Sequence, residues 1–184
     1  MTEPPQASVA RADKGSTGVH APEREGRHLA LAAVFEAEFG QRTATSALHR
    51  RLEDTDTSER SARHAGLIVD AVVTYRDSID AQLEEVAPAY PVVQLARIDR
   101  ALLRCGMGEL LHCPTTPGRV TIAEWVELAR TYSGEPIRRL MNGALGRVAK
   151  DAAAAEAPGG DGPGQGHGAS TDNLTTGHTE GLPE

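Results

Sequence analysis

The side chains best placed to do chemistry in this sequence are cations set beside one aromatic ring. Tyr132 stands just before Ser133-Gly134, Arg138 and Arg139 just after it, and Arg119 follows Pro117 at the head of an earlier predicted helix. Arginines at a helix N-terminus do not complement the helix dipole, which favours acids there. Their chemistry is phosphate contact, with Tyr132 offering a face on which an unpaired base stacks. The alternative is a solvated basic face with Tyr132 packed between helices. Asn142, next to Gly143, offers an amide to RNA or, on the other reading, to backbone where two helices meet.

Other chemistries lack their residues. The seven histidines are scattered, and none forms an i, i+4 ligand pair. There is no GxGxxG, no Walker-type loop and no GxSxG elbow. The glycines of 159–168 have no strand or helix around them and read as linker. Cys105 and Cys113 lie eight apart without a CxxC, as expected of two free, mostly buried thiols in a reducing cytoplasm. The expectation is a non-enzyme with no cofactor and no metal.

The elements that must position these side chains are helical. Leu29, Ala32, Ala33, Phe35, Ala37 and Phe39 predict a helix ending at Gly40. Ser46 to Glu53 forms a short second helix. Ser58 is the expected N-cap of a long one carrying Ala65, Ile68, Val69, Val72, Ile79, Leu83 and Val86 at helical spacing. Pro88 and Pro91 break the chain, as do Pro114 and Pro117. Between the two pairs runs a helix with Leu95, Ile98, Leu102, Cys105 and Leu110. Val120 to Leu128 and Ile137 to Val148 supply two more. The expected fold class is all-α: a compact bundle of about six or seven helices.

Charge places the domain within the chain. The 184 residues carry 19 Lys+Arg and 26 Asp+Glu, a formal charge of −7. Residues 1–22 and 151–184 hold six units of that excess and almost no large apolar side chains, so both read as disordered tails. The segment 23–150 is nearly neutral but polarised: −5 over 23–89 and +4 over 90–150. The overall acidity therefore does not exclude a nucleic-acid partner. The longest apolar run, Leu29–Phe35, is far short of the roughly 20 residues needed to span a bilayer, and no signal peptide is visible. A cytoplasmic protein without a membrane partner is expected.

From Gln94 onward the residue order becomes specific. Gln94 to Arg104, with Ile98-Asp99-Arg100 and Leu103-Arg104, is followed by Glu109-Leu110 and Pro117, then by Val120 to Tyr132 with Glu124-Trp125-Val126-Glu127-Leu128-Ala129-Arg130. Met141-Asn142-Gly143-Ala144-Leu145 closes the series. This order resembles the NusB family over about residues 24–150, and Arg24-x-x-Arg27 before Ala30 to Phe35 resembles that family's first helix more faintly. The resemblance implies a compact bundle of about seven helices in two subdomains, and a role in transcription antitermination. It implies binding of boxA-like single-stranded RNA together with NusE, a small ribosomal protein, within the transcription elongation complex. Phosphates would then meet Arg24, Arg27, Arg119, Arg138 and Arg139, and bases would meet Tyr132 and Asn142. A competing reading is a protein-interaction module that keeps the fold without RNA.

The sequence departs from the family pattern in places. Glu23 and Glu25 interleave the first arginines, Gly108 stands where a Tyr is common, and Trp125 where a small residue is usual. Pro136 and Ile137 replace a polar pair, and Leu140 an aromatic. Trp125 either fills core volume or anchors a partner. Arg104 is expected to pair with Glu124 or Glu127 across a helix interface, while Asp99 and Arg100 are expected to face a protein partner.

Overall fold

A computed structural model describes residues 21–156. The expected tails, apart from a few residues at their inner ends, lie outside the described residues, as do the glycines of 159–168. Six α-helices follow one another: α1 (Ala21–Ala37), α2 (Ala44–Asp54), α3 (Glu59–Val86), α4 (Arg97–His112), α5 (Gly118–Tyr132) and α6 (Glu135–Glu156). A 3-10 turn, Val92–Gln94, precedes α4. The described residues contain no strand. The all-α class holds, but the count is six rather than seven.

Local chemistry explains the boundaries. Pro22 sits in the first turn of α1, where its missing N–H leaves nothing unpaired. Gly40 takes the left-handed φ of 74° that closes the turn after α1. Thr43 and Ser58 cap α2 and α3, their hydroxyls accepting from the amides of Ser46 and Ser61. Gly134 (φ 108°) turns the chain between α5 and α6. Helix α6 continues to Glu156, six residues past the boundary the composition suggests. Helix α3 bends at Tyr75 (φ −112°, ψ 18°) without ending, so one long helix carries two straight segments. The Tyr75 ring stacks on His112 at the end of α4, centroids 3.8 Å apart.

Helices α1, α2 and α3 pack together, α5 packs on α6 and α4, and α1 and α3 dock on α4. Small residues set the closest crossing. Gly26, Ala30 and Ala33 form the buried stripe of α1, and a Cβ on Gly26 would lie 2.8 Å from the carbonyl oxygen of Ser61. Gly108 does the same for α4 against α3, with Val72 Cγ2 3.1 Å from where its Cβ would be. A Tyr at 108 has no room here; the glycine serves helix packing. Ile68, Ile79, Leu102, Leu103, Met107 and Leu145 fill one continuous core. Cys105 and Cys113 are both free and buried, and burial pushes the Cys113 thiol up to about 11.

Candidate nucleic-acid interface

At the junction of α1, α3, α4 and α5 lies a buried carboxylate, Glu109. Arg27 holds it with two bonds, Nε to Oε2 at 2.8 Å and Nη2 to Oε1 at 2.6 Å. Trp125 Nε1 donates to Oε2 at 2.6 Å, and His64 Nε2 lies 3.2 Å from Oε1. Burial alone would raise the Glu109 pKa, but the His64 imidazole and Arg27 guanidinium beside it bring it down to about 2. The expectation that Arg27 meets phosphate is corrected by this arrangement: its side chain is 1 % exposed and spent on Glu109. Trp125 is fully buried, which makes it core filling with a polar handle rather than a partner anchor.

The acids among the first arginines also have structural partners. Glu23 pairs with Arg60 at 2.5 Å, and Glu25 accepts from the Ser61 hydroxyl at 2.5 Å, so both fasten α1 to α3. Arg24, half-exposed, sends Nε and Nη2 to Glu124 of α5, each at 3.0 Å.

Near that pair Tyr132 ends α5, the residue 47 % exposed. Its hydroxyl lies 2.9 Å from His28 Nδ1, and the two rings meet edge to face. Burial, then the Arg24 charge, lowers the His28 pKa. Tyr132 is thus held from its hydroxyl end on an exposed position. Across the Gly134 turn, Arg138 Nε and Nη2 bond Glu135 at 2.6 and 2.7 Å, and Arg139 Nε bonds the same carboxylate at 2.9 Å. Arg138 and then Arg139 hold the Glu135 carboxyl down to about 2. Glu127, three residues before its partner Arg130 on α5, feels the charges of Arg130, Arg24 and Arg138 together.

Arg139 turns toward a cleft of about 710 Å³ between α6 and the 86–90 loop, bordered by Pro88, Tyr90, Pro136, Leu140 and Gly143. Tyr90, half-exposed, was not among the residues singled out from sequence. Its signal was an aromatic between prolines in a breaker segment. Asn142 is exposed one residue before Gly143. Arg119 is exposed and unpaired among the described residues, but it stands at the far end of α5, about 20 Å from Tyr132 at 1.5 Å per residue.

The expected protein-facing pair lies elsewhere. Asp99, in the first turn of α4, is 9 % exposed, and Arg100 Nε donates to Glu38 at 2.7 Å. Arg104 pairs with Asp80 (2.8 and 2.6 Å) and with Glu38, which corrects the expected Glu124 or Glu127. Glu124 and Glu127 lie on α5 beside Arg24 and Arg130 instead. Near Arg100 two apolar side chains, Phe39 and Val93, are exposed among polar ones, and the Arg97 guanidinium sits 4.8 Å above the Phe39 ring.

Known proteins share this arrangement of helices. The chain is 35 % identical over 127 residues to "Transcription antitermination protein NusB" of Dehalococcoides mccartyi, covering 69 % of this chain and 89 % of that protein. It is 33 % identical over 130 residues to the Myxococcus xanthus protein of the same name, covering 68 % and 93 %. The solved structure of T. maritima NusB superposes with a TM-score of 0.65 at 27 % identity, covering 71 % of this chain and 92 % of that one. A structure of NusB and NusE in complex with dsRNA matches with a TM-score of 0.64 at 19 % identity, covering 71 % and 97 %. Residues 24–150, from the Arg24 that meets Glu124 to the Lys150 of α6, match the NusB family as a whole, and the chain belongs to it.

Proposed function

We propose that this protein is a transcription antitermination factor that holds boxA-like single-stranded RNA together with a NusE-type partner in the elongation complex. It works in the cytoplasm by positioning and catalyses no reaction. The helices divide into two subdomains, α1–α3 and α4–α6, with the RNA face where α1 meets α5 and the turn into α6 begins. The observation that carries the reading is Tyr132: an exposed aromatic residue at the end of α5, its hydroxyl held by His28 near the Arg24–Glu124 pair, with Arg138 six residues on across the Gly134 turn. Phosphates meet Arg24, Arg138 and Arg139, with Arg119 as an outlying contact, and a base enters the cleft between Tyr90 and Arg139 beside Asn142. The partner covers Phe39 and Val93 near Asp99 and Arg100, which buries two exposed apolar side chains in an interface. Relatives named for antitermination and a fold shared with a NusB–NusE–RNA complex support the same reading.

A titration of boxA-like RNA, with and without NusE and across salt concentrations, tests it. Affinity is expected to fall steeply with salt, and Arg138→Ala with Arg139→Ala to reduce the slope by about 1.4, at ~0.7 per phosphate on a single strand. Absence of binding at low salt, with NusE present, would leave the second reading, a protein-interaction module. That reading is favoured by one observation: Arg24, Arg138 and Arg139 each already hold a carboxylate of the same chain.

A further inference from the structure

The exposed side of α6 carries more positive charge than the Tyr132 surface uses. Arg147 and Lys150 are both exposed, and neither makes an ion pair among the described residues. At 100° per residue, Gly143, Arg147 and Lys150 all fall within about 80° of Arg139, so the four lie on one stripe about 16 Å long. The opposite side of the helix, with Met141, Ala144, Leu145 and Val148, is buried in the core. Asp151, the acid nearest in sequence, borders a groove with Gln82 and Glu85 of α3.

We propose that this stripe is a phosphate track that carries single-stranded RNA from the Arg139 cleft along α6, adding contacts at Arg147 and Lys150. The inference rests on the RNA reading above and extends its footprint. Two features argue for a built track rather than a solvated face. Gly143 borders the cleft beside Arg139, and nothing lies within 4 Å of where its Cβ would be, so the path from cleft to Arg147 is open. Arg147 and Lys150 also differ from Arg24, Arg138 and Arg139 in holding no carboxylate, so a phosphate displaces only counterions from them. Lys150 is not explained by the helix dipole, which acts within the last turn, because α6 runs on to Glu156.

The test is fluorescence anisotropy on the full chain with a short boxA-like RNA and versions of it lengthened by four nucleotides at the 5′ or the 3′ end. One lengthened RNA is expected to bind more tightly than the short one. Arg147→Ala with Lys150→Ala should abolish that gain, roughly an order of magnitude at 0.1 M salt, and lower the salt slope by about 1.4. Affinity for the short RNA and the thermal midpoint should stay unchanged. A double variant that keeps the length gain and the slope overturns the track. So does the absence of any gain in the unaltered protein while the short RNA still binds. If the short RNA does not bind at low salt even with NusE present, the RNA reading itself falls, and the track with it.

Discussion

Arg27 and Glu109, 82 residues apart in sequence, meet as a two-bond ion pair in which neither side chain is more than 1 % exposed. One helix crosses the other at this point, and Trp125 and His64 close around the same carboxylate. Removing one partner of such a pair leaves a buried charge uncompensated, which costs about 3–5 kcal/mol. Arg27→Met is therefore expected to lower the unfolding free energy by that amount in urea denaturation. Combining it with Glu109→Leu should recover part of the loss, because the buried charge goes as well while the Trp125 indole N–H is left without its acceptor. A phosphate-contacting arginine would behave oppositely, reducing the salt slope of RNA binding with little change in stability.

The same carboxylate fixes a pH dependence. Glu109 is held at about 2 in the folded protein, below the ordinary value near 4.5. Its ionised form thus contributes stability that is fully present above about pH 4.5 and lost as the pH falls toward 2. Glu109→Gln should flatten this part of the acid limb, whatever it does to stability at neutral pH. Trp125 is the single tryptophan of the sequence, and its indole bonds Glu109 directly. Its fluorescence, followed through an acid titration, is the measurement to use.

Helix positions were readable because their causes are local. The Ser58 hydroxyl, Pro117 and Gly134 each act within a few residues of the boundary they mark. The Gln94–Arg104 and Glu124–Arg130 series likewise identified the family, since α4 and α5 form a continuous stretch. The partners of buried charges were not readable in this way. Periodicity places Arg104 on an inward face, but its carboxylates come from Glu38 and Asp80, on a turn after α1 and on α3. Arg24 and Arg27 look equivalent three residues apart, yet one reaches the surface of α5 and the other the core of the junction. The bend at Tyr75 has neither Pro nor Gly to announce it; stacking on His112 accompanies it.

Gly26 offers a test of how closely α1 and α3 must approach. A methyl group there would lie 2.8 Å from a backbone oxygen and 3.0 Å from His64 Cβ, and neither is the free end of a flexible side chain. The two helices would have to separate, disturbing the Glu25–Ser61 bond and the His64 contact as well. Gly26→Ala is expected to destabilise the protein by about 1–3 kcal/mol despite the higher helix propensity of alanine. Thermal unfolding followed by circular dichroism measures it.

Tyr132 separates stacking from hydrogen bonding. Tyr132→Phe keeps the ring and loses only the bond to His28, so RNA affinity should change little. Tyr132→Ala removes the platform, and the loss expected for base stacking is about 1–3 kcal/mol. Anisotropy at fixed salt compares the two. Equal losses would mean that the hydroxyl, rather than the ring face, contacts the RNA.

Glu135 is bonded to both Arg138 and Arg139, so an arriving phosphate competes with a carboxylate already in place. Surface pairs of this kind contribute little to stability, and the substitution should leave the unfolding midpoint nearly unchanged. Its effect belongs on binding. Glu135→Gln keeps the side chain's shape, frees both guanidiniums and removes one negative charge from the path of the strand. RNA affinity is expected to rise several-fold at low salt, and the gain to shrink as salt screens the carboxylate. Because the two arginines are then available to any polyanion, affinity for an unrelated RNA should rise by at least as much. A Glu135→Gln protein that binds boxA-like RNA more weakly would show the opposite role, a carboxylate that orients the arginines for phosphate.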